Sequence, residues 1–169
     1  MQRTYIKQIT KIQELFCQTE EARKALRVTT EEDDALIESQ LEAAIDFAEN
    51  FLRLNIVRRE IVAIYKNVNS DEISLEAFPI ASIEQVKFAG EGPLEEDDYS
   101  FYKDKIKFKN RIHNKTLEVK YISGFEVVPE SIRQGIFLHL NILYDKEIMD
   151  SENMESILQL YKPYRRLRL

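Results

Sequence analysis

The sequence has few of the residues that cross-link a chain, ligate metals or loosen the backbone. It contains one cysteine, Cys17, and two histidines, His113 and His139. A single thiol excludes an internal disulfide and any zinc site built from several cysteines. One histidine falls in a predicted turn and the other in a predicted helix, without the short spacing typical of metal ligands. We therefore expect no metal site.

Glycine and proline are equally scarce, with four of each among 169 residues. No flexible linker interrupts the chain, and its length predicts a single domain spanning residues 1–169. Glycine-rich phosphate-binding motifs and nucleophile motifs are missing, so we expect neither catalytic residues nor a cofactor. The longest apolar stretches, such as residues 136–143, are too short to span a membrane, and the first residues lack the apolar centre of a secretory signal. These features predict a cytoplasmic protein without membrane contact.

The chain also lacks an excess of positive charge. Its 24 basic and 30 acidic residues give a net charge of -6, which argues against a dedicated nucleic-acid coat. Hydrophobic residues make up 44% and charged residues 32%, as in ordinary globular domains.

Helical spacing of apolar residues marks both ends of the chain. A stripe from Ile37 to Leu52, repeating every three or four residues, predicts a long helix over about 31–54, after a short one near 19–26. Pro129 fits the start of a third helix, and residues 151–161 form a fourth. The first dozen residues are also predicted helical, because isoleucines recur there every three residues.

The middle of the chain, about 56–128, consists of short segments rich in β-branched and aromatic residues. The predicted strands are residues 60–65, 72–75, 83–88, 99–102, 105–108 and 116–122. The fold class is therefore predicted to be α+β: a small helical bundle, about 19–54 and 129–161, with a β-rich insertion.

The most concentrated charge lies in the basic tail, residues 162–169, which carries Lys162, Arg165, Arg166 and Arg168. It has three interpretations: a docking surface for another protein, a solvated helix end whose cations face the negative dipole terminus, or a DNA contact. Pro163 disfavours a continuous helix through the arginines, which favours docking. The candidate docking residues are Tyr161, Lys162, Pro163, Tyr164, Arg165 and Arg166.

The order of several short motifs resembles the head–tail connector (adaptor) proteins of tailed bacteriophages. The motifs lie between about residues 19 and 165, in this order: Ala22-Arg23-Lys24-Ala25-Leu26-Arg27-Val28, Asp34-Ala35-Leu36-Ile37, Phe78-Pro79-Ile80-Ala81-Ser82-Ile83, Val119-Lys120-Tyr121-Ile122-Ser123-Gly124-Phe125, Val128-Pro129-Glu130-Ser131-Ile132, Leu143-Tyr144-Asp145-Lys146-Glu147 and Leu160-Tyr161-Lys162-Pro163-Tyr164-Arg165. The chain departs from the family at Gly135, where alanine is usual, at Asn55, where glycine is common, and over residues 1–18.

The resemblance implies a non-enzymatic structural protein of a phage or prophage. Such adaptors form a ring, typically of about twelve copies, below the portal of the head and extend the DNA channel toward the tail. The implied partners are further copies of the chain, the portal protein, the next connector or tail-completion protein, and DNA that passes without sequence-specific binding. The implied location is the virion, after assembly in the host cytoplasm. The segment around 161–165 is the implied portal contact.

Two alternatives remain open. Another ring-forming neck or tail-completion protein would share the ring but dock elsewhere. A cytoplasmic binding module would recognise a protein or a nucleic acid through the basic tail.

Overall fold

In a computed structural model, which describes residues 3–12, 16–145 and 151–166, the chain forms two compact units. One consists of Met1–Gln13 and Val57–Glu126, and the other of Glu14–Ile56 and Val127–Leu169. Strands occupy the first unit and helices the second, so the predicted α+β class is confirmed. The chain length predicts a single domain, and this remains a prediction although the contacts divide the chain into two units.

Two antiparallel sheets form the strand unit. The strands are β1 (Arg3–Lys11), β2 (Arg59–Val68), β3 (Glu72–Ser74), β4 (Ile80–Phe88), β5 (Tyr99–Tyr102), β6 (Lys105–Phe108) and β7 (Lys115–Ser123). The larger sheet has the order β1-β2-β7-β4, and the smaller has the order β3-β6-β5. The six strands predicted in the middle of the chain all form, with ends within a few residues of the prediction.

The core of this unit comes from one face of each sheet. Ile61, Tyr65 and Tyr121 of the larger sheet and Ile106 of the smaller one belong to a single buried cluster. Their neighbours along each strand point away from it, which is the alternation expected of sheets with one wet face.

The helical prediction for the first dozen residues is wrong. Residues 3–11 form β1, which pairs antiparallel with β2 and has a register shift between Ile6 and Gln8. This bulge inserts one residue, so Ile6 and Ile9 come to lie on the same face although they are three residues apart. The bulge therefore produces a three-residue spacing of isoleucines that is also typical of a helix.

The helical unit contains α1 (Thr19–Leu26), α2 (Asp34–Leu52), α3 (Glu130–Tyr144) and α4 (Ser151–Tyr161). The apolar stripe of α2 is buried from Ile37 to Leu52, as predicted. The helix begins at Asp34, three residues later than expected. Contacts fix this start, since Asp33 accepts a hydrogen bond from the Tyr144 hydroxyl at 2.7 Å and Asp34 pairs with Arg23 at 3.1 Å.

Candidate docking surface

The C-terminal segment leaves its helix where the sequence predicts. Helix α4 ends at Tyr161, and Lys162–Tyr164 form one 3-10 turn with Pro163 near its start. Proline cannot donate a backbone hydrogen bond, and its ring disfavours the helical conformation in the residue before it. The chain therefore turns here, and the arginines that follow are not part of a continuous helix.

Tyr161 is fully buried and acts as the anchor of this segment. A Cβ added to Gly135 of α3 would lie 2.4 Å from Cε1 of the Tyr161 ring, so glycine is what allows the ring to lie against α3. The ring of Phe51 in α2 lies 6.1 Å away, centre to centre. Burial raises the pKa of the Tyr161 hydroxyl, which stays protonated. Gly135 therefore permits the close approach of the Tyr161 ring to α3.

Two contacts fix the segment beyond Tyr161 against the C-terminal end of α2. The Arg166 backbone amide donates to the Leu52 carbonyl at 3.0 Å. Carbonyls in the last turn of a helix have no partner within the helix, so this bond also caps α2. The Arg165 guanidinium lies 4.7 Å above the Phe51 ring, which is a cation–π geometry. The segment is therefore ordered through backbone and side-chain contacts.

A groove of about 540 Å³ opens beside this segment. Its apolar lining consists of Phe51, Met154 and Leu158, and its charged lining consists of Glu155, Lys162 and Arg165. Apolar surface bordered by cations is suited to a partner segment that carries an aromatic or aliphatic side chain next to an acid. The groove could therefore receive part of another protein.

The six candidate docking residues divide into an anchor and a surface. Lys162, Pro163, Tyr164 and Arg165 are exposed, Arg166 is half-buried and Tyr161 is buried. Tyr161 itself therefore presents no surface. Its packing positions the four exposed residues.

The groove is also lined by four residues that are not among the predicted docking residues: Phe51, Met154, Glu155 and Leu158. The spacing of four between Met154 and Leu158 places both residues on one face of α4, and this pattern could have pointed to their part of the groove. No sequence signal links Phe51 to Arg165, because they are far apart along the chain.

Cys17 and His139 are not among the residues that line this groove. Cys17 is half-buried, and burial raises the pKa of its thiol, which lowers the fraction of reactive thiolate. His139 is buried in α3 with its ring 4.7 Å from that of Phe47, and burial lowers its pKa. Within residues 3–12, 16–145 and 151–166, no group of three His, Cys, Asp or Glu residues is arranged to hold a metal ion. None of the described helices has the length and hydropathy needed to cross a membrane.

The fold is similar to that of chains in three solved structures of gene transfer agent (GTA) particles. The structure titled "Neck of empty GTA particle computed with C6 symmetry" superposes with a TM-score of 0.72 at 17% identity, covering 96% of this chain and 97% of that chain. "Virion of native gene transfer agent (GTA) particle" gives a TM-score of 0.71 at 17% identity, covering 95% and 96%. "Neck of native GTA particle computed with C12 symmetry" gives 0.71 at 17% identity, covering 98% and 97%.

The sequence itself matches the family described as "Head completion protein" over residues 15–162. The chain belongs to this head completion protein family, which confirms the resemblance to head–tail connector proteins. No curated protein sequence matches it. Tyr161 and Lys162 lie within the family match, whereas Pro163, Tyr164, Arg165 and Arg166 follow it.

Proposed function

We propose that this chain is the head–tail adaptor of a phage or prophage particle. In this proposal, copies of the chain form a ring below the portal and extend the DNA channel toward the tail. Its role is structural rather than enzymatic, and it resides at the head–tail junction of the virion after assembly in the host cytoplasm. The observation that carries the proposal is the family match over residues 15–162.

The ring is supported by the structures with the same fold. Two of their titles name a neck, computed with C6 symmetry in one case and C12 symmetry in the other. A ring of twelve copies is the assembly we propose here. The net charge of -6 suits a channel wall that lets DNA pass, because fixed cations would add favourable contacts with phosphates.

We further propose that the exposed part of the C-terminal segment docks on the portal protein. Lys162 and Arg165 stand beside an apolar groove, and Arg165 is held in place by the Phe51 ring. Ordered cations next to apolar surface lose little conformational entropy on binding, which favours affinity. The opposite end of the ring would receive the next connector or tail-completion protein.

The test is binding between the full-length chain and the portal protein encoded by the same genome. The double variant Lys162→Glu/Arg165→Glu is expected to weaken binding at least about tenfold, equivalent to about 1.4 kcal/mol. Lys109→Glu/Lys103→Glu is the matched control, because it reverses two exposed charges in the strand unit. The control is expected to bind as the wild type does.

Equal portal binding by the wild type and the Lys162→Glu/Arg165→Glu variant would contradict docking through this segment. A wild-type chain that forms rings but does not bind the portal would instead support a neck or tail-completion protein that docks elsewhere. Affinity for DNA that falls steeply with salt, without ring formation, would support the nucleic-acid-binding module.

A further inference from the structure

Strand β1 leaves one side of its backbone available for pairing. It is the outermost strand of the larger sheet and pairs with β2 alone. In an antiparallel pair, alternate amides and carbonyls of an edge strand point away from the neighbour. No described residue pairs with that side of β1, which therefore presents a template for another strand.

The face of β1 that continues the core is also uncovered. Ile6 lies opposite Ala63 and Ile9 lies opposite Ile61, and both partners in β2 are buried. Residues opposite each other in an antiparallel pair share a face, so both isoleucines extend the inner face of the sheet. Their side chains nevertheless remain 37% and 57% exposed, and no described residue of β1 belongs to the core cluster. Within the part of the chain that the structure describes, these two side chains remain apolar surface at the edge of the sheet.

The two edges of the sheet differ in charge. Arg3–Lys11 contains basic residues and no acidic ones. At the opposite edge, the segment of residues 91–98 lies beside β4. Its contacts with the strand are the pairing of Pro93 with Lys87 and the hydrogen bond from the Leu94 amide to the Val86 carbonyl at 2.8 Å. That segment, residues 91–98, carries five acids and no basic residue. A basic edge and an acidic edge on one sheet are complementary surfaces.

The chain's own residues Pro93 and Leu94 pair with β4 at Lys87 and Val86, so the free part of this edge is residues 80–85. We infer that β1 of one copy adds to this free part of the β4 edge in a neighbouring copy, head to tail, beside the acidic segment. The contact would cover Ile6 and Ile9 and bring the basic strand toward the acidic segment. It is heterologous, since two different surfaces meet, and such contacts form a closed ring when the rotation between neighbouring copies closes. Lysines on an edge strand normally oppose unspecific pairing, and here they select an acidic partner edge.

This inference rests on the proposed ring and identifies one of its lateral contacts. The family match begins at residue 15, so it does not include β1 and says nothing about the strand. The contact involves only the strand unit, whereas the proposed portal docking involves only the C-terminal segment. The two can therefore fail separately.

The experiment measures the assembly of the full-length chain by sedimentation velocity, with hydrogen–deuterium exchange of the β1 amides in the same samples. Wild-type chain at high concentration is expected to form cyclic oligomers in which alternate β1 amides exchange at least about tenfold more slowly than in dilute monomer. Ile9→Lys is expected to shift the population to monomer and to remove that protection. Val127→Lys is the matched control, because Val127 is 81% exposed and lies in the other unit.

The inference would be overturned if Ile9→Lys formed oligomers of the same size and amount as the wild type. It would also be overturned if the β1 amides of the oligomers exchanged as fast as in the monomer, or if the chain formed a closed two-fold dimer. A wild-type chain that stays monomeric at every concentration would overturn it as well. Portal binding through Lys162 and Arg165 could still be measured in each of these cases, so the proposed function would be judged separately.

Discussion

At the scale of single residues, the position of the proposed docking segment depends on a glycine and a tyrosine from different helices. Gly135 lies in a helix interior, where glycine costs about 1 kcal/mol relative to alanine. The structure explains this cost, because the missing Cβ leaves room for the buried ring of Tyr161. The segment that follows Tyr161 is held where it can meet a partner.

Gly135→Ala is expected to destabilise the chain by about 1 kcal/mol. The added methyl would gain the helix propensity of alanine but would overlap a ring that is fully buried, and such overpacking costs about 1–3 kcal/mol. Urea unfolding measures the change. Gly92→Ala is the control, since nothing lies within 4 Å of its added Cβ, and a change within about 0.5 kcal/mol is expected there. A more stable Gly135→Ala chain would contradict the account of close approach.

At the scale of elements, one carboxylate links three strands on the wet face of the larger sheet. Glu118 of β7 pairs with Lys87 of β4 at 2.8 Å and with Lys7 of β1 at 3.4 Å. The hydrogen bond from Lys87 is the main reason why the pKa of Glu118 lies below its ordinary value of 4.5. Part of the attachment of β1 is therefore electrostatic.

Glu118→Gln is expected to cost up to about 1 kcal/mol at neutral pH, the range for partly exposed ion pairs. Since the pKa is lowered in the folded state, the contribution of the carboxylate is complete above pH 4.5 and disappears as the pH falls through the folded value. The stability difference between wild type and variant should shrink accordingly when urea unfolding is repeated at decreasing pH. Glu126→Gln, at an exposed position, is the control. A difference that grows on acidification would contradict this assignment.

Most elements could be predicted from the sequence because each is encoded by neighbouring residues. The apolar stripe of α2, Pro129 and the alternation in β7 are local signals, and the structure confirms them. Strand β1 was missed because its bulge turns a two-residue alternation into a three-residue spacing. Helix α2 begins three residues later than predicted, at a point where Asp33 accepts from Tyr144 and Asp34 pairs with Arg23, contacts that a local pattern does not reveal.

The candidate docking surface was predictable only in part, for the same reason. A basic, aromatic segment and a helix-ending proline are visible in the sequence, and they identify residues 161–166. The distinction between the buried anchor Tyr161 and the exposed Lys162 and Arg165 depends on how α2, α3 and α4 pack. That packing joins residues more than a hundred positions apart, which local patterns do not specify.

At the scale of the whole molecule, the chain belongs to the head completion protein family, and each of its two units carries a distinct surface. The strand unit carries a basic edge and an acidic edge, and the helical unit carries an ordered cationic segment beside a groove. In the proposed adaptor, these surfaces serve two separate purposes, contact between copies and contact with the portal.

The most direct test of the central claim is a cryo-electron microscopy reconstruction of the neck of the particle whose genome encodes this chain. The account predicts a ring of this chain directly below the portal, around the DNA channel, with the segment at 162–166 against portal density. A neck in which another protein occupies that position, in particles from which this chain is missing, would contradict it.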